Sequence, residues 1–180
     1  PQNPKTPNQV FSTENIIIYK MADKKTKLLL WKATDTKKHD VIPKILAKGI
    51  DVDEPLTDGG MVGLHLACAQ GDLTAATIFL DNGAKVNSAD NVERTPLHFA
   101  AANGESVDLI NELISRGAEV NCTSLGGDTP LIKAIMFDNV DAVKALIDQG
   151  ADTSIQNSNE RDAKSFADAS RNDEIIDLVG

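Results

Sequence analysis

Three histidines and two cysteines are the side chains of this 180-residue chain that are best suited to bind a metal or act as nucleophiles. His65 and Cys68 are three residues apart, a spacing that places two side chains on one face of a helix. A zinc site needs further ligands close by, and His98 and Cys122 lie well separated from this pair along the chain. The sequence therefore predicts no metal site and no bound cofactor.

Two pairs of carboxylates could supply an acid and a base for catalysis, Asp51 with Asp53 and Asp173 with Glu174. Neither pair has a nucleophile beside it, and acidic side chains are favourable near a helix N-terminus without any catalytic role. Phosphate-binding glycine loops, the G-x-S-x-G motif and protein-kinase motifs do not occur in the sequence. We therefore expect a protein that is not an enzyme and that has no small-molecule substrate.

The chain is acidic, with a formal net charge of −9 at pH 7 and a pI of about 4.7. This charge disfavours binding to nucleic acid, which requires lysine and arginine, and to an anionic membrane surface. It is compatible with a protein partner that has a basic surface, although acidity also simply keeps a protein soluble. No apolar run approaches the roughly 18 residues of a membrane span. With only two cysteines we expect reduced thiols and a cytoplasmic location, with a nuclear one as the alternative. Separately, we expect the protein to be a monomer.

A repeat with a period of 33 or 34 residues organises most of the sequence. It appears as a column of alanines and a column of glycines: Ala33, Ala67, Ala100, Ala134 and Ala167, and Gly49, Gly83, Gly117 and Gly150. Self-similarity at this period is typical of stacked arrays, in which each unit is too small to fold alone. We place an array of about five units at 24–180, divided as 24–56, 57–90, 91–123, 124–157 and 158–180.

Each unit is predicted to contain two helices. Apolar pairs four residues apart, such as Leu109-Ile110 with Leu113-Ile114, give every second helix one stripe to bury. The column glycines follow these helices, where a left-handed residue commonly ends a helix. First helices begin at Thr95-Pro96 and Thr129-Pro130, because threonine is a good N-cap and proline suits the first helical position.

At these residues the sequence resembles the ankyrin repeat. Thr95-Pro96-Leu97-His98-Phe99-Ala100-Ala101 matches the T-P-L-H-x-A-A signature of that family, and 64–67 matches four of its positions. The segments 83–87 and 117–121 resemble its closing G-A-x-V-N element, and the resemblance covers about 24–179. It implies an all-α solenoid of stacked helix-turn-helix units with projecting β-hairpin loops. It also implies protein binding along the concave face, through hairpin tips and first helices.

The resemblance changes how the candidate residues are interpreted. His65 and His98 occupy the same repeat position, so we expect their rings to bridge backbone groups of neighbouring hairpins. His39, which has no counterpart, is expected to be solvated, and Asn121 is expected to hold its hairpin as Asn87 does.

Four departures from the family pattern stand out. Val62-Gly63 replaces Thr-Pro in the second unit, and Glu93 occupies a position where the family prefers glycine. Asp162 could cap its helix in place of threonine. Trp31 takes the histidine position of the first unit. Partner contact and a structural role, either packing under the N-terminal arm or capping the core, are equally good interpretations.

The first 23 residues do not fit the repeat, and Met21 resembles a natural start. Residues 1–20 are either an extension that does not belong to the native protein or a real arm. In the second case Ile16 to Tyr19 would pack against the exposed end of the array.

The remaining candidates are residues that could contact a partner. By repeat position, hairpin tips and concave helices carry Met61, Val92, Arg94, Asn103, Leu125, Asp128, Met136, Phe137, Arg161 and Trp31. We expect an adaptor or scaffold that binds another protein through these residues. The alternative is a stand-alone inhibitor of an enzyme such as a kinase.

Overall fold

The fold, seen in a computed structural model, consists of helices paired along the chain. The structure describes residues 13–104 and 107–180, with side chains from residue 24 onward. The helices are α1 Thr13–Asp35, α2 Ile42–Leu46, α3 Gly63–Ala69, α4 Leu73–Asp81, α5 Pro96–Asn103, α6 Val107–Ser115, α7 Pro130–Met136, α8 Val140–Asp148, α9 Ala163–Ser170 and α10 Asp173–Val179. Within the described residues there are five helix pairs and no strands, as the all-α prediction requires.

The helices form two layers. Each odd-numbered helix packs on the next odd-numbered helix, from α1 to α9, and each even-numbered helix packs on the next even-numbered one. All five members of the alanine column are buried, because small side chains allow the first helices to approach closely. The second helices bury the predicted apolar stripe, for example through Leu109, Ile110 and Leu113. The column glycines have φ between +85° and +93°, as expected of residues that end a helix.

The loops between units form a row held together by backbone hydrogen bonds. Each loop is closed by backbone bonds of its own, such as that from the Asp90 N–H to the Arg94 carbonyl, 3.0 Å. Neighbouring loops are joined by further bonds, including that from the Leu125 N–H to the Val92 carbonyl, 2.9 Å. These are the predicted hairpin loops, but each is too short to form a strand ladder.

Two of the three helix caps expected from the sequence are formed, those at Thr129 and Asp162. The Thr129 hydroxyl accepts the Ile132 N–H at 3.2 Å, and Asp162 accepts the Ser165 N–H at 2.9 Å. Asp162 therefore replaces threonine as the cap of α9, as expected. The starts of α3 and α5 differ, because neither Val62 nor Thr95 makes a side-chain cap bond. The cap predicted at Thr95 is therefore not formed, and its hydroxyl instead lies 3.0 Å from Nδ1 of His98.

Helix α1 is much longer than the other first helices, with 23 residues. It begins at Thr13, so it continues across residue 23, where the sequence placed the end of the N-terminal segment. Residues 1–12, and the side chains of Ile16 to Tyr19 that were expected to pack on the array, lie outside the described part of the chain.

The departure at Gly63 is explained by Phe79. A Cβ atom at residue 63 would overlap the fully buried Phe79 ring. The equivalent positions in the third unit hold Pro96 and Leu113. The second unit therefore has a glycine–phenylalanine pair where the third unit has a proline–leucine pair. The phenylalanine ring occupies the space that a proline at residue 63 would need.

We expect Gly63→Ala to lower the free energy of unfolding by about 2 kcal/mol, because the buried ring has no room to move away. Phe79→Leu alone should cost about 1–2 kcal/mol through the cavity it leaves. In the Phe79→Leu background, Gly63→Ala should cost much less than in the parent chain. Urea denaturation of the four proteins measures this coupling. Strictly additive effects would contradict the packing explanation.

Glu93 adopts the left-handed conformation that its repeat position demands, with φ +60°. The equivalent Gly60 and Gly127 have φ of +79° and +75°. Left-handed backbone costs a non-glycine residue about 1–2 kcal/mol, and replacing Glu93 with glycine would remove that cost. Part of the gain would be lost, because glycine has more conformational freedom in the unfolded chain, which disfavours folding by about 0.5–1 kcal/mol.

Glu93→Gly should therefore raise the free energy of unfolding by about 0.5–1 kcal/mol, measured by urea denaturation. Glu119, also exposed but not left-handed, provides the control, and Glu119→Gly should destabilise the protein. The same sign for both variants would show that the conformation of Glu93 carries no strain.

Candidate protein-binding surface

His65 and His98 bridge neighbouring loops, which confirms their structural role. Nδ1 of His65 accepts the Val62 N–H at 3.1 Å, and Nε2 lies 3.0 Å from the carbonyl oxygens of both Ser88 and Arg94. The ring thus connects the start of α3 to the loop of the next unit.

His98 repeats this arrangement one unit later. Its Nδ1 accepts the Thr95 N–H at 3.1 Å, and its Nε2 donates to the Asp128 carbonyl at 2.9 Å. Both roles require a neutral ring with the proton on Nε2. Burial lowers the pKa of both His65 and His98, which favours this neutral form.

The other candidates for chemistry also have structural partners. Cys68 is fully buried, and burial raises the pKa of its thiol. Cys122 is half-buried, with its sulfur 3.3 Å from the Thr95 hydroxyl. No group of three or more histidine, cysteine or carboxylate side chains in 24–104 or 107–180 is arranged to hold a metal ion.

The expectation that His39 is solvated was wrong. Its Nε2 lies 2.7 Å from Oδ2 of the buried Asp72, whose other oxygen accepts the Ala75 N–H and caps α4. The contact joins the first unit to the second. Comparison of the repeats could not predict it, because no other unit has a histidine at the position of His39.

A second ladder of side chains links the loops after the second helices. The Asn87 side chain accepts the Glu119 N–H at 2.9 Å, and Asn121 likewise accepts the Asp152 N–H at 2.9 Å. Asp53 holds the same position in the first unit and accepts the Lys85 N–H. The asparagines therefore hold their loops as predicted, and Asp53 belongs to this ladder.

The surface formed by α3, α5, α7 and α9 with the loops that precede them is called here the first-helix face. Four large apolar side chains of this face are well exposed. These are Val92, Leu125, Met136 and Phe137, at 42%, 65%, 50% and 60% of their maximal accessible area.

Met136 and Phe137 line a groove of about 320 Å³ on this face, together with Arg94, Phe99 and Lys133. The groove therefore combines exposed apolar side chains from the end of α7 with cationic side chains from two units. Val92 and Leu125 are adjacent to each other on neighbouring loops, joined by the backbone bond described above.

The charged candidates on this face are held by internal contacts. Arg94 donates to Asp90 at 2.6 Å and its guanidinium lies 4.6 Å from the centre of the Phe99 ring. Arg161 likewise stacks on Phe166 at 3.9 Å. These contacts fix both arginines in one orientation while leaving them partly accessible.

Asp128 is also engaged, by Lys133 at 2.6 Å and Asn157 at 2.8 Å. Burial alone would raise the pKa of Asp128, but the bonds from Lys133 and Asn157 outweigh it and lower that pKa. Asn103 donates to the Ala69 carbonyl at 3.1 Å, and Met61 is half-buried. These partners lie in other elements, which is why residue type and repeat position did not reveal them.

Trp31 is half-buried and lines a separate groove of about 520 Å³ with Leu28, Pro55 and Leu56. One part of the ring is therefore covered and another part is open to solvent. Both interpretations made from the sequence, packing and partner contact, are compatible with this position.

Two layers of short helices with a row of loops along one edge define a helical repeat protein, a class whose extended surfaces bind other proteins. The sequence model for ankyrin repeats (3 copies) matches three overlapping segments, residues 29–124, 64–157 and 97–179. The chain therefore belongs to the ankyrin-repeat family.

Individual relatives are larger proteins. The chain is 30% identical to ankyrin repeat protein nuc-2 of Neurospora crassa over 129 residues, which are 71% of this chain and 12% of nuc-2. It is 30% identical to the fowlpox virus ankyrin repeat protein FPV031 over 159 residues, 84% of this chain and 46% of that protein. Serine/threonine-protein kinase 12 of Arabidopsis thaliana is 37% identical over 94 residues, 52% of this chain and 20% of the kinase. The chain spans less than half the length of each.

Ankyrin repeats generally mediate protein–protein interactions and are typically not catalytic. Among the described helices, none is both long enough and apolar enough to cross a membrane.

The neutral histidines predict a dependence of stability on pH. The unfolded chain takes up protons at histidine below about pH 6.5, whereas the folded chain takes them up only at lower pH because burial lowers the pKa of His65 and His98. The free energy of unfolding should therefore be fully retained above about pH 7 and should fall as the pH drops from about 7 to about 5.

Urea denaturation at several pH values in this range would measure the effect. His98→Gln should lower stability at pH 7 by about 1–3 kcal/mol, because it disrupts buried hydrogen bonds, and should reduce the loss between pH 7 and pH 5. Asp90 and Asp128 do not confound the measurement, because carboxylates titrate mainly below about pH 5. An unchanged pH dependence in both His65→Gln and His98→Gln would rule out this role.

Proposed function

We propose that this chain is a non-enzymatic protein-binding module, an adaptor or scaffold, whose principal contact surface is the first-helix face. One observation carries the proposal. Six large apolar side chains are well exposed among the described residues: four lie on the first-helix face, the other two, Leu28 and Leu29, lie on α1, and none lies on a second helix. The second-helix layer instead exposes polar and charged residues, such as Asn111, Asp141 and Lys144.

Exposed apolar side chains concentrated on one face favour a binding surface over random surface composition. Phe137 and Met136 are suitable central anchors, because aromatic and methionine side chains are enriched at interfaces. Leu125 and Val92 extend the apolar surface onto the loops.

The internal contacts of Arg94 and Arg161 support the same proposal. An arginine already fixed by an aromatic ring loses less side-chain entropy when it contacts a partner than a freely rotating one. Asp128, Asn103 and Met61 contribute mainly by holding the surface in shape, and Trp31 extends it towards the first unit.

The charge of the loops supports a partner with a basic surface. Asp58, Glu93 and Glu160 are all exposed on loops of the first-helix face. Opposite charge on a partner would steer it towards these loops and set its orientation. We further propose that the module is a monomer. The two cysteines form no disulfide, which supports a reducing compartment such as the cytoplasm or the nucleus.

The test is a triple variant, Leu125→Asp, Met136→Asp and Phe137→Asp, used to capture proteins from the source cell. Burying three new charges should weaken binding of the natural partner by at least about tenfold. Quantitative mass spectrometry of the captured proteins, compared with the parent chain, measures the loss.

The matched control places the same three charges on the second-helix layer, at the exposed Thr74, Asn111 and Gln149. It should capture the same partners as the parent chain, and thermal melting should show that both triple variants remain folded. Equal capture by the two triple variants would show that the first-helix face is not the binding surface.

A further inference from the structure

A second surface with different chemistry lies on the outer side of the first unit. A groove of about 290 Å³ runs between α1 and α2 there. Its rim carries Lys32, Lys38, Lys44 and Lys48, and its apolar lining includes Leu29 and Val41.

The charge of this groove is opposite to that of the chain as a whole. All four lysines are exposed, in a chain whose net charge is −9. Asp40 pairs with Lys44 at 3.0 Å, and the bond and charge of Lys44 lower the pKa of the Asp40 carboxyl. Three rim lysines thus remain without a carboxylate contact within ion-pair distance among the described residues.

The apolar lining is accessible where the equivalent positions of the next unit are covered. Leu29 is 44% exposed and Val41 is half-buried, whereas Ala75, the equivalent of Val41 in the second unit, is fully buried. The groove is therefore equivalent in position to the surface on which, further along the array, the helices of one unit pack against those of its neighbour.

Another ankyrin unit would nevertheless be a poor occupant. Lys32 stands where the second unit has Leu66, and covering it with an apolar repeat surface would bury a charge without a carboxylate beside it. Lys44 stands where the second unit has Ile78, and its ion pair with Asp40 would also lose its solvent. An occupant that fits must present apolar side chains to the groove and carboxylates to its rim.

We propose that this groove binds an acidic amphipathic helix of a second protein partner. Leucine-like side chains at helical spacing would contact Leu29 and Val41, in the manner of a helix in a groove, and glutamate or aspartate on either side would meet the lysines. The groove is on the end unit, whereas the four exposed apolar residues of the first-helix face belong to the third and fourth units, so the two surfaces are separate. The proposal does not depend on the function proposed above.

The probe is a labelled synthetic peptide of about 18 residues, with leucine at helical spacing on one face and glutamate on the others. Binding to the full chain is followed by fluorescence anisotropy. Lys44→Glu with Lys48→Glu should weaken binding by about tenfold or more. Raising the salt from about 50 mM to about 300 mM should weaken it as well, because the contacts are exposed.

Two controls separate this surface from general charge effects. Lys85→Glu with Lys164→Glu changes the net charge equally at exposed positions elsewhere and should leave affinity within about twofold. A peptide with lysine in place of every glutamate should not bind in this groove, so it should cause no amide chemical-shift changes in α2. Amide chemical-shift changes on titration should concentrate in α2 rather than in α7.

Two results would overturn the proposal directly. In the first, the Lys44→Glu, Lys48→Glu variant and the Lys85→Glu, Lys164→Glu variant bind the peptide with equal affinity. In the second, Phe137→Asp abolishes peptide binding and the Lys44→Glu, Lys48→Glu variant does not. Tighter binding to vesicles of anionic lipid than to the peptide would indicate a membrane surface instead. Peptide affinity that rises when residues 1–12 are removed would indicate that this segment is the natural occupant.

Discussion

The contact between one unit and the next is the interaction on which the rest of the structure depends. The helices after α1 are only five to nine residues long, which is too short for stability in water without packing. Each can persist only because a neighbouring unit covers its apolar side. The buried alanine column allows this contact, since larger side chains at Ala67 or Ala134 would separate the first-helix layer.

Stacking also determines how well the loops are positioned. His65 and His98 each join the start of a first helix to the loop of the following unit, and Asn87 and Asn121 join the loops on the other side. The bonds from the histidine Nε2 atoms to Arg94 and Asp128 and the bonds to the two asparagines all cross between units, so order in a loop depends on the unit beside it. The proposed binding surface is therefore a property of the array, and no single repeat could present it.

The periodic part of this structure could be predicted from the sequence, and the non-periodic part could not. Alanine and glycine columns report a constraint that recurs in every unit, so they indicated the helix pairs and the roles of both histidines. The Gly63–Phe79 exchange and the His39–Asp72 contact each occur once and join residues distant in the chain. Residue type and repeat position carry no information on such pairs. The stacking of Arg94 on Phe99 and of Arg161 on Phe166 is different, because each pair is five residues apart and recurs two units later, so the repeat did contain a signal for it.

The distribution of these exceptions bears on function. Positions that face the next unit are constrained by packing, so a repeat protein can vary its specificity only at loops, at the exposed ends of first helices and on its terminal units. Phe137 and Leu125 belong to the first two groups and the four lysines of the first unit to the third. Two surfaces, one apolar with acidic loops and one basic with an apolar groove, would suit two different partners. An inhibitor needs only one such surface, whereas an adaptor needs two, and a separate second surface therefore favours the adaptor.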